Sequence, residues 1–410
     1  MGQPRHVFFA TIAAGGGHVA TATALAEALH AYYPDDFTTR VSDVMAEFGA
    51  AALDRRHKAS WRALLRRPQL VRIGQRLSDA APSVTRLSQS LTLDAFARSL
   101  ARQLNELGPD LVVANHGWLA TVFAAARTRY GLRAPVVIYA TEPFDASALW
   151  SEPRSELVFA PSVAAREDLV RLGVRPERVH VVGYPVRQPF LAPPARAAAR
   201  AELGLAEHGF TTLLTLGAEG LAGEAVAMAE QILSTGSRLL AVAGRNAELK
   251  ARFDNLAAEH PGLTAFGFTD RMPTLLAAAD LVVGKAGPAS TMEALAVGRP
   301  LLVTAYAGLN EAAVVRFLEE RELGGITSTV DLAAAVAAWR DAPARLAAAS
   351  VHAAALDFPG MARRAAAHVR SVACGEALPT QPPLADLPFE GVTRALITGR
   401  PGAKAIRQGA

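Results

Sequence analysis

The sequence predicts an α/β protein built from two Rossmann-like, doubly wound domains that face a cleft. Short apolar runs bounded by polar turns recur along its 410 residues, each followed by an amphipathic stretch, which is the rhythm of parallel strands joined by helical crossovers. That rhythm stops at a proline-containing segment, 183–194, and then restarts in a chain too long for one ordinary core. Polar residues and glycines also gather where the strands end, the edge at which open parallel sheets place ligands. The expected division is a first domain over 1–185, a second over 186–375 and an irregular tail over 376–410.

The first unit of the pattern is a strand at 6–12, a glycine turn and a helix at 19–32. Gly16 and Gly17 permit close approach of a substrate to the backbone, and His18 stands at the mouth of that turn, as a reactive group or as a capping residue. The glycine spacing does not make a dinucleotide fingerprint, which disfavours an oxidoreductase. A second strand, 39–44, brings Asp43 to its carboxyl end as a base, a base partner or a helix cap. From 54 to 76 the composition turns basic, with Arg55, Arg56, Arg62, Arg66 and Arg67 around Trp61 and several aliphatic residues, and Pro68 must break the helix. Such a segment suits an anionic membrane surface, with a solvated helix packed on its own domain as the alternative. Neither stacking aromatics nor a reading motif accompanies the charge, so no nucleic-acid partner is expected. Strands at 110–114 and 135–140 deliver Asn115-His116 and Thr141-Glu142 to the same edge as His18, and strands at 157–160 and 179–182 complete the sheet.

Strands at 211–216, 239–243, 264–268, 280–283 and 301–304 form the second sheet. The strongest local signal follows the fourth of these. Gly284 and Gly287 loosen a turn, Pro288 suits the first helical position, and Gly298 and Pro300 close the helix. The amides of Ala289, Ser290 and Thr291 then stand at the positive helix terminus, a place for phosphate, and Glu293 lies one turn up the same face, able to accept two ribose hydroxyls. Together they describe a nucleoside diphosphate site; an ordinary capped helix with an exposed Glu is the alternative.

Composition sets the outer bounds. The chain is 51% hydrophobic and 20% charged, with no apolar run of transmembrane length and no signal-peptide core, so a cytoplasmic protein is expected. One cysteine, Cys374, excludes an internal disulfide or a cysteine-rich metal site. A net charge of +4 and a pI near 9.4 favour an anionic partner. No Asp-x-Asp follows a strand end, so neither metal nor cofactor is expected.

On these residues the chain resembles the two-domain (GT-B) lipid glycosyltransferases: monogalactosyldiacylglycerol synthases, processive diacylglycerol glucosyltransferases and, more distantly, the enzyme that adds N-acetylglucosamine to lipid I. The resemblance covers roughly residues 5–370. It implies that His18 assists deprotonation of the acceptor, with Asp43 or Glu142 as partners, and that His116 and Trp150 lie on the acceptor side. It implies that Gly183-Tyr184-Pro185-Val186-Arg187 is a hinge and that Gly217, Glu219 and Gly220 face the diphosphate. Arg245 belongs to a strand-end motif, Phe268 and Met272 hold uracil, and Lys285-Ala286-Gly287-Pro288 with Glu293 matches the nucleotide-sugar signature, which adds to the helix-terminus reading of Ser290 and Thr291. Two departures stand out. Thr141-Glu142 replaces Thr-Asp, and Gly308-Leu309-Asn310 replaces a Gly-Gln-Glu turn, leaving Asn310 or Glu311 to meet the donor sugar. The implied activity is inverting, metal-independent transfer of a hexose from a UDP-sugar to a membrane lipid, diacylglycerol first, at the inner face of the cell membrane. The rivals are a UDP-sugar 2-epimerase and a nucleotide-sugar-binding protein without turnover.

Overall fold

The computed structural model describes residues 3–65, 67–217, 224–383, 386, 387 and 389. Arg66, Glu219 and Gly220 of the expected sites, and residues 390–410, lie outside that set. The alternating pattern folds into two six-stranded, wholly parallel sheets. The first contains β1 (Arg5–Thr11), β2 (Phe37–Asp43), β3 (Leu111–Ala114), β4 (Val136–Tyr139), β5 (Leu157–Ala160) and β6 (Val179–Val181), in the order β2-β1-β3-β4-β5-β6. The second contains β7 (Thr211–Thr215), β8 (Arg238–Val242), β9 (Leu263–Phe266), β10 (Leu281–Lys285), β11 (Leu301–Ala305) and β12 (Gly324–Ile326), in the order β12-β11-β10-β7-β8-β9. Helices cover these sheets, so the central strands are buried and read as continuous apolar runs. β12 escaped the sequence reading because Gly-Gly-Ile is short and carries little side chain. In each sheet the strand order reverses once, between β1 and β3 and between β7 and β10.

The boundaries differ from the expected ones. The first compact unit comprises the chain up to Gln188, the segment Ala307–Ala313 and the described residues from Asp357 onward; the second comprises Pro189–Tyr306 and Val314–Leu356. The last helix, Phe358–Cys374, therefore packs in the first unit, against the helix Gly17–Tyr32, and not in the second as expected. Its apolar stripe, including Met361, Ala365 and Val369, is buried there. Met361 also explains the segment expected to be a hinge. Gly183 has φ +93°, and a Cβ on it would lie 2.4 Å from Met361 Cγ, so only glycine lets the chain pass. Tyr184 and Val186 are buried, and the Tyr184 hydroxyl meets Thr21 Oγ1 at 3.2 Å.

In the second unit the equivalent close approach is at Gly284. It pairs in register with Thr215, and a Cβ there would sit 2.2 Å from the Thr215 carbonyl oxygen. Gly284→Ala is expected to destabilise the second unit by about 1–3 kcal/mol, the usual scale of overpacking. Gly267→Ala, which meets no atom within 4 Å, should leave stability unchanged. Denaturant melts of the two variants check this.

Candidate active site

Reversal of strand order opens a crevice outside the carboxyl ends of the two central strands. In the first unit the loops leaving β1 and β3 carry the glycine turn and Asn115-His116. The helix after the turn begins at Gly17, two residues earlier than expected, so His18 lies in its first turn and Gly16 is its N-cap. His18 Nδ1 is 2.9 Å from Thr141 Oγ1, and its ring centroid is 4.6 Å from that of His116 and 6.0 Å from the buried Trp150. Burial holds the His18 pKa down at about 4, the nearby His57 lowers it further, and a bond to the Asn115 backbone opposes both. The ring is thus neutral at physiological pH and able to take a proton.

His116 caps the helix Gly117–Arg129: its Nδ1 accepts the Trp118 amide at 3.2 Å, which puts the proton of the neutral ring on Nε2. Burial, then repulsion from His18 and His57, keeps it well below the ordinary histidine range. The sequence reading placed His116 and Trp150 on the acceptor side, and both stand beside His18. It missed His57, whose ring lies 4.0 Å from Trp118 and 5.9 Å from His116, because a lone histidine in a basic helix carries no pattern.

The two carboxylates named with His18 are placed otherwise. Asp43 Oδ2 is engaged by Lys58 Nζ at 2.6 Å, and the same ammonium holds the buried Asp54 at 2.7 Å. Lys58 therefore ties the end of β2 to the helix Ala51–Leu65. The Asp54/Lys58 spacing of four was visible in the sequence; its third member was not. Burial raises Glu142 well above the carboxylate range, and repulsion from Asp145 and Asp79 adds to it, against bonds from Ser147 and Trp150. A carboxyl so held keeps its proton, which suits hydrogen-bond donation and corrects its expected part in proton removal.

In the second unit Gly217, just past the end of β7, lies beside the turn that leaves β10. The helix Pro288–Ala296 starts with Pro288 in its first turn and Gly287 as N-cap. Ser290 is exposed and Glu293 half-buried on the next turn. Thr291 is a correction. Its amide donates to the Gly287 carbonyl at 2.9 Å and its side chain is fully buried, so it offers a ligand neither group. The terminus keeps the amides of Ala289 and Ser290. Lys285, the first residue of the signature, lies with its Cε 3.2 Å from where a Gly287 Cβ would be and 3.9 Å from that of Gly217, so its stem runs between the two glycines. Farther along the edge the Arg245 guanidinium stacks 3.9 Å above the ring of Phe268, which is 60% exposed, and Met272 opens the following helix, Met272–Ala278.

Asn310 and Glu311 lie in the segment that groups with the first unit. The Asn310 side chain lies 3.5 Å from Gln75 Nε2, whose Oε1 accepts the Leu309 amide at 2.7 Å. Glu311 is buried and accepts the Ala307 amide at 2.6 Å. Both are thus occupied in holding the turn.

The segment expected to meet lipid is exposed in part. Arg55, Arg56, Arg62 and Arg67 are exposed, but Trp61 is half-buried. Beside Leu64 at the end of the basic helix, this part of the chain exposes Leu70, Ile73 and Leu77 on the helix Pro68–Ala80, and Val84, Leu87 and Leu91 on the helix Pro82–Leu107. Each set has helical spacing i, i+3, i+7, a stripe along one face. No helix among the described residues is long and apolar enough to cross a membrane.

Comparison with known proteins fits this arrangement. Residues 18–186 match the model of the monogalactosyldiacylglycerol (MGDG) synthase family, and residues 215–312 match the glycosyltransferase family 28 C-terminal domain. The chloroplastic MGDG synthase of Spinacia oleracea is 26% identical over 352 residues, 82% of this chain and 66% of the relative. The chain thus spans slightly less than two thirds of the length of such plant relatives. A UDP-N-acetylglucosamine–N-acetylmuramyl-(pentapeptide) pyrophosphoryl-undecaprenol N-acetylglucosamine transferase of Clavibacter michiganensis is 35% identical over 233 residues, 54% of this chain and 59% of the relative. Among solved structures, Anabaena HepE in complex with UDP aligns over 89% of this chain and all of its own, with a TM-score of 0.52 and 17% identity, a likeness of fold.

The packing around His18 has a direct consequence for titration. Its folded pKa of about 4 lies below the ordinary histidine value of 6.5, so protonation opposes the fold and stability falls as pH drops from 6.5 towards 4. NMR titration of the His18 ring should give a midpoint near 4; one near 6.5 would mean that the ring is not packed as described.

Proposed function

We propose that this chain, a relative of the MGDG synthases through its first unit and of family 28 glycosyltransferases through its second, transfers a hexose from a UDP-sugar to a hydroxyl of a membrane lipid, diacylglycerol first. The observation that carries the reading is the pairing of a neutral, half-buried histidine at one strand-order reversal with a glycine-lysine-helix terminus at the other. His18 takes the acceptor proton as the hydroxyl attacks the anomeric carbon, and inversion follows from that single displacement. The departing diphosphate carries its charge to Lys285 and to the amides of Ala289 and Ser290, an electrostatic role that requires no metal. Glu293 binds the ribose, and the exposed Phe268 ring beside Arg245 offers the uracil a flat partner. Both family matches are to glycosyltransferases, which disfavours the 2-epimerase reading.

Incubation of the protein with diacylglycerol vesicles and labelled UDP-glucose or UDP-galactose, followed by lipid separation, tests transfer. UDP binding without any labelled lipid would leave a nucleotide-sugar-binding protein. Two variants assign the halves. Glu293→Gln should weaken UDP binding by about tenfold to a hundredfold, the scale of a lost charged hydrogen bond, as read by calorimetry. His18→Ala should slow transfer about a hundredfold or more and leave UDP affinity near that of the parent.

The lipid acceptor places the protein on an anionic bilayer at the inner face of the membrane, and the stripe from Leu70 to Leu91, flanked by Arg62, Arg67 and Arg76, is the surface that suits it. Apolar side chains enter the interface while guanidinium groups meet lipid phosphate, each worth about 1 kcal/mol near such a surface. Replacing Ile73, Leu77 and Leu87 with Ser should abolish most co-sedimentation with anionic vesicles, whereas Trp61→Ser should change it little. Binding by the parent should weaken with added salt. Undiminished sedimentation of the triple variant would return the stripe to an ordinary surface.

A further inference from the structure

β6 is an edge strand of the first sheet, and an edge strand offers unpaired backbone groups that proteins cover or cap. Here one amide is capped from far along the chain. The Val181 N–H donates to Gln381 Oε1 at 2.8 Å. The other end of the same side chain, Nε2, lies 3.1 Å from His368 Nε2, and His368 Nδ1 lies 2.8 Å from the Arg364 carbonyl oxygen.

These contacts fix every proton. The Val181 amide can only donate, so it must face the Gln381 oxygen, which leaves the Gln381 NH2 to donate to His368 Nε2. The Arg364 carbonyl can only accept, so the imidazole proton is on Nδ1 and Nε2 is free to accept. The bonds form one directed chain, from the edge strand through the tail to the last helix.

Beyond this pin, Leu387 and Phe389 are each 3% exposed. Leu387 joins the core of the first unit, and the Phe389 ring packs edge-on against Phe144 with centroids 5.0 Å apart. Phe144 is itself buried, in the loop after β4 that carries Glu142 and Trp150. Residues of the tail expected to be irregular thus reach the core beneath the loop after β4.

We propose that Gln381, Leu387 and Phe389 form a brace that sets the position of the Glu142–Trp150 loop, with Gln381 and His368 as the positioning residues that hold it. The link to catalysis rests on the function proposed above; the link to loop order does not. The ring of His368 faces Phe159 on β5 and His180 on β6, with Arg364 one turn away on its own helix and Arg166 beside His180. Burial first, then repulsion from His180 and Arg364, lowers the His368 pKa to about 4 against the Arg364 carbonyl bond. A proton on Nε2 would confront the Gln381 NH2 with a second donor, and turning the amide would set that NH2 against the Val181 N–H. Freed imidazole titrates near the ordinary 6.5, so the hold weakens as pH falls from 6.5 towards 4.

Hydrogen exchange of the full-length protein, followed on peptides covering 142–150, tests the brace. Gln381→Ala and Phe389→Ala should each speed exchange there about tenfold, the scale of one or two lost hydrogen bonds or a lost ring contact, with peptides from β7 and β8 unchanged. Phe389→Leu, which keeps an apolar plug, should stay near the parent. Protection of the parent loop, corrected for intrinsic exchange, should decline between pH 6.5 and 4. Where lipid transfer is measured, Gln381→Ala should raise KM for the lipid severalfold and leave KM for the UDP-sugar unchanged. Parent-level protection of 142–150 in either alanine variant overturns the brace. Absence of transfer by the parent overturns the proposed function and leaves the exchange result standing.

Discussion

A parallel strand can be followed by another only after the chain has crossed back over the sheet, so every strand of a parallel sheet delivers its carboxyl end to the same edge. Most of what is particular about this protein depends on that constraint. It gathers His18, His116, Thr141 and Trp150, which are far apart in sequence, around one point of the first sheet. It does the same for Gly217, Lys285 and Gly287 in the second. At each reversal of strand order the flanking crossovers leave on opposite faces, which opens a crevice at that edge. The groups with chemistry stand there, and the strands behind them carry almost nothing but aliphatic packing.

How far the sequence disclosed this follows from the range of the forces involved. Five of the six strands of the second sheet were legible because burial on both faces writes an apolar run that local patterning detects, and β12 was not because Gly-Gly-Ile has no such run. The turn at 283–295 was legible because proline, glycine and helix polarity act over a few residues. Contacts made across the chain were not. Nothing near Asp43 signals Lys58 as its partner, and nothing near Phe144 signals Phe389. Trp61 drew attention as the large aromatic of a basic stretch, yet the helix that bears it turns it partly inward, while smaller residues farther on, from Leu70 to Leu91, form the exposed stripe. Thr291 failed for the opposite reason: it has the right type and spacing for a phosphate ligand, but one residue of helical rotation separates it from Ser290 and turns its side chain into the core.

The protonation states on the acceptor side share one cause. His18 and His116 are neutral because charge is costly in their surroundings, and Glu142 retains its proton for the same reason. The edge of the first sheet therefore carries little net charge beside His18, which suits an uncharged alcohol more than an anion. The second sheet presents Lys285, Arg245 and a helix terminus at its own edge, a distribution that suits a diphosphate.

The return of the helix Phe358–Cys374 to the first unit also bears on how the protein is made. Without that helix Gly183 and Tyr184 lack the surface that fits them, and the apolar face of the helix Gly17–Tyr32 lacks its cover. Synthesis adds about 5–20 residues per second, so the first unit waits on the order of ten seconds or more, while the whole second unit emerges, before its last piece arrives. During that interval the second unit can close on its own strands, and the earlier one stays open along one flank. The part of the chain translated first is thus the last to finish folding.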